Sequence, residues 1–307
     1  MPQPGWTERD VPDQTGRSFL ITGANAGLGY ETARVLAQRG AKVILACRRP
    51  EAGEAAAARL RGLAPGAGVE VEALDLADLS SIADGAARVA ASTASLDGLV
   101  NNAGLMGVPR TTTVDGFERQ LAVNHLGHFA LTGRLLPLLL AAPAPRVVTL
   151  TSETGRFGRI DFSDLQGEQR YRPWQAYAQA KLANLLFALE LDRRARAAGT
   201  PLLSLASHPG YAATGLQGSP ERHLSASLRR FWAWANRHVA QSAAAGAWPT
   251  LRAATDPAAV GGTLYGPSGM LSGPAALDNL FSRATDHGAA RRLWEASETL
   301  TAVSFRF

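Results

Sequence analysis

Short apolar runs recur along the chain at Ser18–Thr22, Ala41–Ala46, Val69–Leu74, Gly98–Asn101, Arg146–Thr151 and Leu202–Ser207. Between them lie longer stretches with helical spacing of apolar positions, at Leu28–Arg39, Pro50–Leu63, Leu79–Ala91, Phe117–Leu136 and Ala176–Ala198. Runs such as VILA and VVTL do not alternate with polar residues. A strand of that kind needs cover on both faces, as in a parallel sheet. The strand–helix–strand repetition predicts an α/β fold: one doubly wound parallel sheet flanked by helices, with right-handed crossovers. Ligands on such sheets sit at the carboxyl ends of the strands. Chemistry is therefore expected in the residues just after each strand.

Neither a linker nor a repeat divides the chain, so residues 1–307 read as one domain, with 16–210 as its core and 211–307 as a cap and C-terminal substrate-side elements. Glycine, proline and serine accumulate between Gly215 and Pro220. Helical patterns follow at Leu224–Ala240 and at Gln241–Ala254, the second interrupted by Pro249. Tyr211–Asn236 reads as a small helical cap over the ligand edge. Its Leu228, Phe231, Trp232 and Trp234 suit an apolar wall for a hydrophobic substrate, or the packing of the cap or of a subunit interface.

Composition narrows the class. A chain of 307 residues, 46% hydrophobic and 19% charged, can bury a sizeable core and is not a disordered polymer. The single cysteine, Cys47, excludes an internal disulfide and a multi-cysteine zinc site, and fits a reducing compartment. The net charge of +5 is scattered in pairs such as Arg48-Arg49, Arg193-Arg194 and Arg229-Arg230, so no nucleic-acid partner is expected. The first 17 residues are polar, and the most apolar run, Leu135–Pro145, holds three prolines and is about half a membrane span. A cytoplasmic protein without a membrane partner is the expectation. His125 and His128 lie three apart without further ligands nearby, which favours a structural role over a metal site.

The first strand runs into Thr22-Gly23-Ala24-Asn25-Ala26-Gly27-Leu28-Gly29 and a helix begins at once. Glycines there permit a tight turn and close approach of a ligand. The helix start then offers free N–H groups and its positive dipole end to a pyrophosphate.

The spacing T-G-x-x-x-G-x-G resembles the short-chain dehydrogenase/reductase family. The likeness extends, in the family's order, through Asp75-Leu76, Asn101-Asn102-Ala103-Gly104, Asn124, Ser152, the Tyr177/Lys181 pair and Pro209-Gly210, over about residues 16–214. The resemblance implies a Rossmann-like fold and a set of roles. Tyr177 would be the general acid/base, and Lys181 would lower its pKa and hold the nicotinamide ribose. Ser152 would orient the substrate oxygen, and Asn124 would anchor a water-linked proton relay to Lys181. Gly23, Asn25, Gly27, Leu28 and Gly29 would cradle the dinucleotide. Leu76, Asn102, Ala103 and Gly104 would line its adenosine side, while Asp75 would meet the adenine edge or only cap nearby backbone. Pro209, Gly210 and Thr214 would shape the nicotinamide pocket. Many relatives pair through the helices bearing Asn124 and Tyr177, so a homo-oligomer is expected by analogy.

At the end of the second strand an acid would favour NAD and an arginine NADP. Arg48 and Arg49 stand there, so NADP is the expected cofactor; Ala26 departs from relatives that carry a second basic residue before the middle glycine. About 24 residues separate Ser152 from Tyr177. That length, with Ala46-Cys47-Arg48, the Asn124–Phe129 segment, Ala180–Asn184 and Leu293–Glu298, resembles the retinol dehydrogenase and protochlorophyllide reductase-like branch. Glu153-Thr154-Gly155 after the serine, and the lack of an N-terminal anchor, depart from retinol enzymes. The expectation is an NADP-dependent enzyme that interconverts a carbonyl and an alcohol on a small to medium hydrophobic substrate. The rivals are a silent dinucleotide-sensing regulator and a carbon–carbon double-bond reductase.

Overall fold

The computed structural model describes residues 5–211, 241–269 and 271–307. Its sheet has the order β3-β2-β1-β4-β5-β6-β7-β8. The six expected strands form within one residue at each end: β1 (Ser18–Thr22), β2 (Lys42–Cys47), β3 (Val69–Ala73), β4 (Gly98–Asn101), β5 (Arg146–Leu150) and β6 (Leu203–Ser207). All are parallel to their neighbours. The longer helices among the described residues are α1 (Gly27–Gln38), α2 (Pro50–Leu63), α3 (Leu79–Ser92), α4 (Gly127–Leu140), α5 (Pro173–Ala197), α6 (Trp248–Thr255) and α7 (His287–Thr301).

The continuous apolar strands bury both faces, as their composition requires. Phe19 and Ile21 of β1 pack into one layer with Leu36 of α1, Leu60 of α2 and Leu251 of α6. Leu20, between them, packs into the opposite layer with Ile82 of α3, Phe129 of α4 and Phe187 of α5. Each such fully buried side chain contributes about 1.5–3 kcal/mol. Trp294 of α7 closes that second layer, with its ring centroid 5.0 Å from Phe129 and 4.5 Å from Phe305.

Two expectations change. The single helix expected over Phe117–Leu136 is broken into a turn at Arg119–Leu121, a wide π-helical turn at Ala122–Leu126 and then α4. The Glu118 carboxylate starts it late by accepting from the N–H groups of Gln120 (2.8 Å) and Leu121 (2.7 Å). Apolar periodicity does not register one added residue in a turn.

The second change lies in the C-terminal region, where β7 (Leu264–Gly269) pairs in parallel with β6, and β8 (Ser272–Asp278) pairs antiparallel with β7. Residues beyond 241 thus enlarge the sheet as well as flank the ligand edge. Gly266, Pro267, Gly273 and Pro274 break the apolar pattern that would have announced these strands. Trp6 adds a bridge to β8, where the Ala275 N–H donates to the Trp6 carbonyl at 2.8 Å. Except for Tyr211, the expected Tyr211–Asn236 cap falls on residues 212–240, outside the described residues, as do Thr214, Leu228, Phe231, Trp232 and Trp234.

Candidate active site

The carboxyl ends of β1, β2, β4 and β5 open into one cleft. Its walls include Gly23, Asn25, Gly27, Leu28, Arg48, Arg49, Asp75, Leu76, Asn102, Ala103, Gly104, Tyr177, Lys181 and Pro209. Gly29, Asn124, Ser152 and Gly210 are not in that lining but adjoin it, beside Asn102, Leu105, Thr151 and Pro209 respectively. The expected residues thus converge on one place, with Thr214 alone outside the described residues.

The glycine turn is built for close approach. Gly23 has φ +65°, a left-handed value that disfavours other residues. A Cβ on Gly29 would lie 2.5 Å from Asn102 Nδ2 and 2.7 Å from the Gly23 carbonyl oxygen. Ala26, which precedes α1, supplies no side-chain cap, so the first-turn N–H groups face the cleft without one. Thr22 locks the turn to β4: its Oγ1 accepts from the N–H groups of Asn102 (2.9 Å) and Ala103 (3.0 Å), and Asn102 Nδ2 donates to the Thr22 carbonyl at 2.7 Å.

Thr22 also meets His128 Nε2 at 2.9 Å, while His128 Nδ1 lies 2.9 Å from the Asn124 carbonyl. A carbonyl only accepts, so Nδ1 carries the proton and Nε2 takes the Thr22 hydroxyl. Burial holds His128 down to about 3, which keeps it neutral. His125 is likewise buried, against Ser297 at 2.9 Å. Both histidines are buried and hydrogen-bonded within the fold.

At the end of the cleft where adenosine is expected, Arg48 and Arg49 are exposed between β2 and α2. Asp75 borders the same space, and its Oδ1 accepts from the Ala77 N–H at 2.9 Å. That contact is the backbone-capping role, one of the two expected for it.

At the other end, Tyr177 and Lys181 share one face of α5 and are each 5% exposed. Lys181 Nζ donates to the Leu150 carbonyl at 3.1 Å and lies 5.9 Å from the centre of the Tyr177 ring. The end of β5 is stitched to α5 twice more, by Thr151 Oγ1 donating to the Lys181 carbonyl (2.6 Å) and Asn184 Nδ2 donating to the Leu150 carbonyl (2.9 Å). The Tyr177 hydroxyl bonds with Ser152 and Thr154, and the Thr154 hydroxyl reaches Ser152 Oγ at 3.0 Å.

The expectation that lysine acidifies this phenol is not met. Burial dominates and raises Tyr177, opposed by the hydrogen bonds from Ser152 and Thr154. The same burial brings Lys181 down to about 8. At neutral pH the pair is a phenol beside an ammonium.

Asn124 sits in the π-helical turn. Its Oδ1 accepts from the Leu105 N–H (2.7 Å) and its Nδ2 donates to the Leu105 carbonyl (3.0 Å), which fixes the amide. Gly104 keeps the space beside it open: a Cβ there would lie 2.9 Å from Asn124 Oδ1 and 3.6 Å from Lys181 Nζ.

One cluster was not foreseen. His208, 2% exposed, places Nε2 2.9 Å from Asp278 Oδ2 and 3.1 Å from Glu153 Oε1. Arg156 bridges the same two carboxylates at 2.7 and 2.8 Å. His208 Nδ1 accepts from the Gly210 N–H at 3.2 Å, so Nε2 is the protonated nitrogen. The network ties the turn after Ser152 to the Pro209-Gly210 turn and to β8, and the His208 bond holds Asp278 down to about 2. The position of Glu153 beside the serine was a local signal, but Asp278 had none, because β8 itself was hidden. Nearby, a second cavity of about 620 Å³ lies under the 153–172 segment, with Thr154, Phe157, Leu165 and Trp174 among its walls. The Trp174 ring stands edge-on to Tyr177 at 6.2 Å. Cys47 is buried, which pushes its thiol up to about 11 and makes it a packing residue.

These features match known proteins. The family described as short chain dehydrogenase matches residues 17–223. Retinol dehydrogenase 14 of Mus musculus is 38% identical over 303 residues, covering 94% of this chain and 86% of its own. Among solved structures, an uncharacterized protein of Mycobacterium paratuberculosis superposes with a TM-score of 0.81 at 45% identity, over 99% of this chain and 100% of that one. A short chain dehydrogenase of Shigella flexneri complexed with NADP gives 0.64 at 25% identity, over 83% of this chain and 98% of that one. With its glycine turn, its Tyr177/Lys181 pair and these relatives, the chain belongs to the short chain dehydrogenase family, in the retinol dehydrogenase-like branch.

Proposed function

We propose that the chain is an NADP-dependent oxidoreductase that interconverts a carbonyl and an alcohol on a small to medium hydrophobic substrate. The observation that carries this reading is the Tyr177 hydroxyl, bonded to Ser152 and Thr154 in the cleft that also holds the glycine turn. The residues fit a dinucleotide: Gly27, at φ +58° with nothing within 4 Å of where a Cβ would stand, leaves backbone bare where a pyrophosphate would press, and Arg48 offers a guanidinium where a 2′-phosphate would sit. A bound nicotinamide would supply the hydride to the carbonyl carbon. Tyr177 holds a proton on its phenolic oxygen and gives it to the carbonyl oxygen, or takes it back in the reverse direction. Ser152 and Thr154 orient that hydroxyl, and Ser152 also fixes the substrate oxygen. Lys181 keeps a positive charge beneath the ring, and Asn124 faces the gap through which a water would pass a proton to it.

The hydrophobic substrate class is supported by Trp174 beside Tyr177 and by the alcohol named for the mouse relative. A panel of hydrophobic ketones, aldehydes and quinones, run with NADPH and NADH side by side, tests the proposal. Oxidation of NADPH with at least one carbonyl is expected. A flat response to the whole panel, or turnover with NADH alone, would refute it.

A further inference from the structure

Arg48 and Arg49 line the cleft, and a third arginine stands beside its glycine turn. Arg59 belongs to the exposed face of α2, where it reads in sequence as a solvated charge. Its side chain turns back toward the glycine turn. Nη2 donates to the Asn25 carbonyl at 3.4 Å, and the guanidinium carbon lies 4.6 Å from the centre of the Tyr30 ring. Among the described residues no carboxylate pairs with it. Asn25 and the exposed Ala26 line the same cleft as Arg48 and Arg49.

The guanidinium is thus pre-oriented by a ring face and one carbonyl, on a residue that is exposed beside the turn. A planar fork held in this way matches two oxygens of a phosphate better than a flexible ammonium does. The turn contributes no cation of its own: residues 23–29 are Gly-Ala-Asn-Ala-Gly-Leu-Gly. We propose that Arg59, supported by Tyr30, is a specificity-determining residue for the ribose 2′-phosphate of the dinucleotide, acting together with Arg48 from the other side. This rests on the NADP reading above.

Equilibrium binding by calorimetry tests it without turnover, with NADPH, NADH, 2′,5′-ADP and 5′-AMP as the probes. Arg59→Gln is expected to weaken NADPH and 2′,5′-ADP about 10-fold and to leave NADH and 5′-AMP within about twofold. Tyr30→Leu should weaken the same two phosphorylated probes about threefold, by freeing the guanidinium. Arg48→Gln serves as the reference. If Arg59→Gln changes nothing while Arg48→Gln abolishes the preference for NADPH, the role of Arg59 is overturned and the NADP reading stands. If Arg59→Gln weakens all four probes alike, the residue merely props the turn and the inference fails. If the unaltered protein binds NADPH and NADH equally, the NADP reading falls and takes this one with it.

Discussion

The two ends of the cleft are made of opposite materials. At the adenosine end Arg48, Arg49 and Arg59 are exposed. At the catalytic end Tyr177, Lys181 and Asn124 are 5%, 5% and 0% exposed, and each is held by hydrogen bonds. Solvated cations discriminate between ligands by charge, with modest energies that salt can screen. Buried groups hold their protonation state against the solvent, because burial itself sets their pKa. Selection and chemistry therefore draw on different physics within one cleft, and the two should fail independently.

The strongest way to break the comparison is at the buried end. Tyr177→Phe removes the proton donor and should lower kcat on the order of 10²–10⁴, with dinucleotide affinity nearly intact by fluorescence titration. A variant that lost affinity and kept kcat would reverse the division of labour. Next comes Arg48→Gln, expected to cost about 10- to 100-fold in NADPH affinity while kcat at saturation stays within a few-fold.

Acidity gives a smaller, graded effect. Lys181 is charged below about 8 and neutral above it, and Tyr177 remains a phenol over the same range. Carbonyl reduction needs both, so its rate should decline as pH rises through about 8. Alcohol oxidation, which needs the phenolate, should gain under alkaline conditions. A reduction profile that climbs through pH 8 would show that burial is not in control. Smallest of all, raising the salt from about 0.01 to 0.5 M should weaken NADPH binding several-fold and leave the midpoint of the pH profile in place. A midpoint that moved with salt would mean that solvent reaches the buried end.

What could be read from the chain, and what could not, follows the same division between local and distant. The glycine turn and the Tyr177/Lys181 pair are local patterns, so their residues speak for themselves. So are β1 to β6, whose apolar runs need no partner to be recognised. The contact between His208 and Asp278 spans 70 residues and depends on β8, a strand whose Ser-Gly-Pro-Ala-Ala start carries no apolar run and which forms by pairing with β7. The wide turn under Asn124 was read as ordinary helix, because both conformations put the same apolar residues inside. The acidity of Tyr177 was misjudged for a related reason: sequence shows a lysine four residues away, whereas the burial that raises the phenol is a property of the whole fold.

The bridge between Trp6 and Ala275 has a consequence for behaviour in concentrated solution. A sheet with two free margins is a template on which further chains can add. On the β3 side that margin carries Glu70 and Glu72, and its carbonyls at Val69 and Ala73 are taken by Arg61 and Arg88. On the β8 side Trp6 occupies the Ala275 N–H, next to Pro274, which has none to offer. Each border is blunted by a different device, and removing the short N-terminal segment would bare a ready seam for self-association and aggregation.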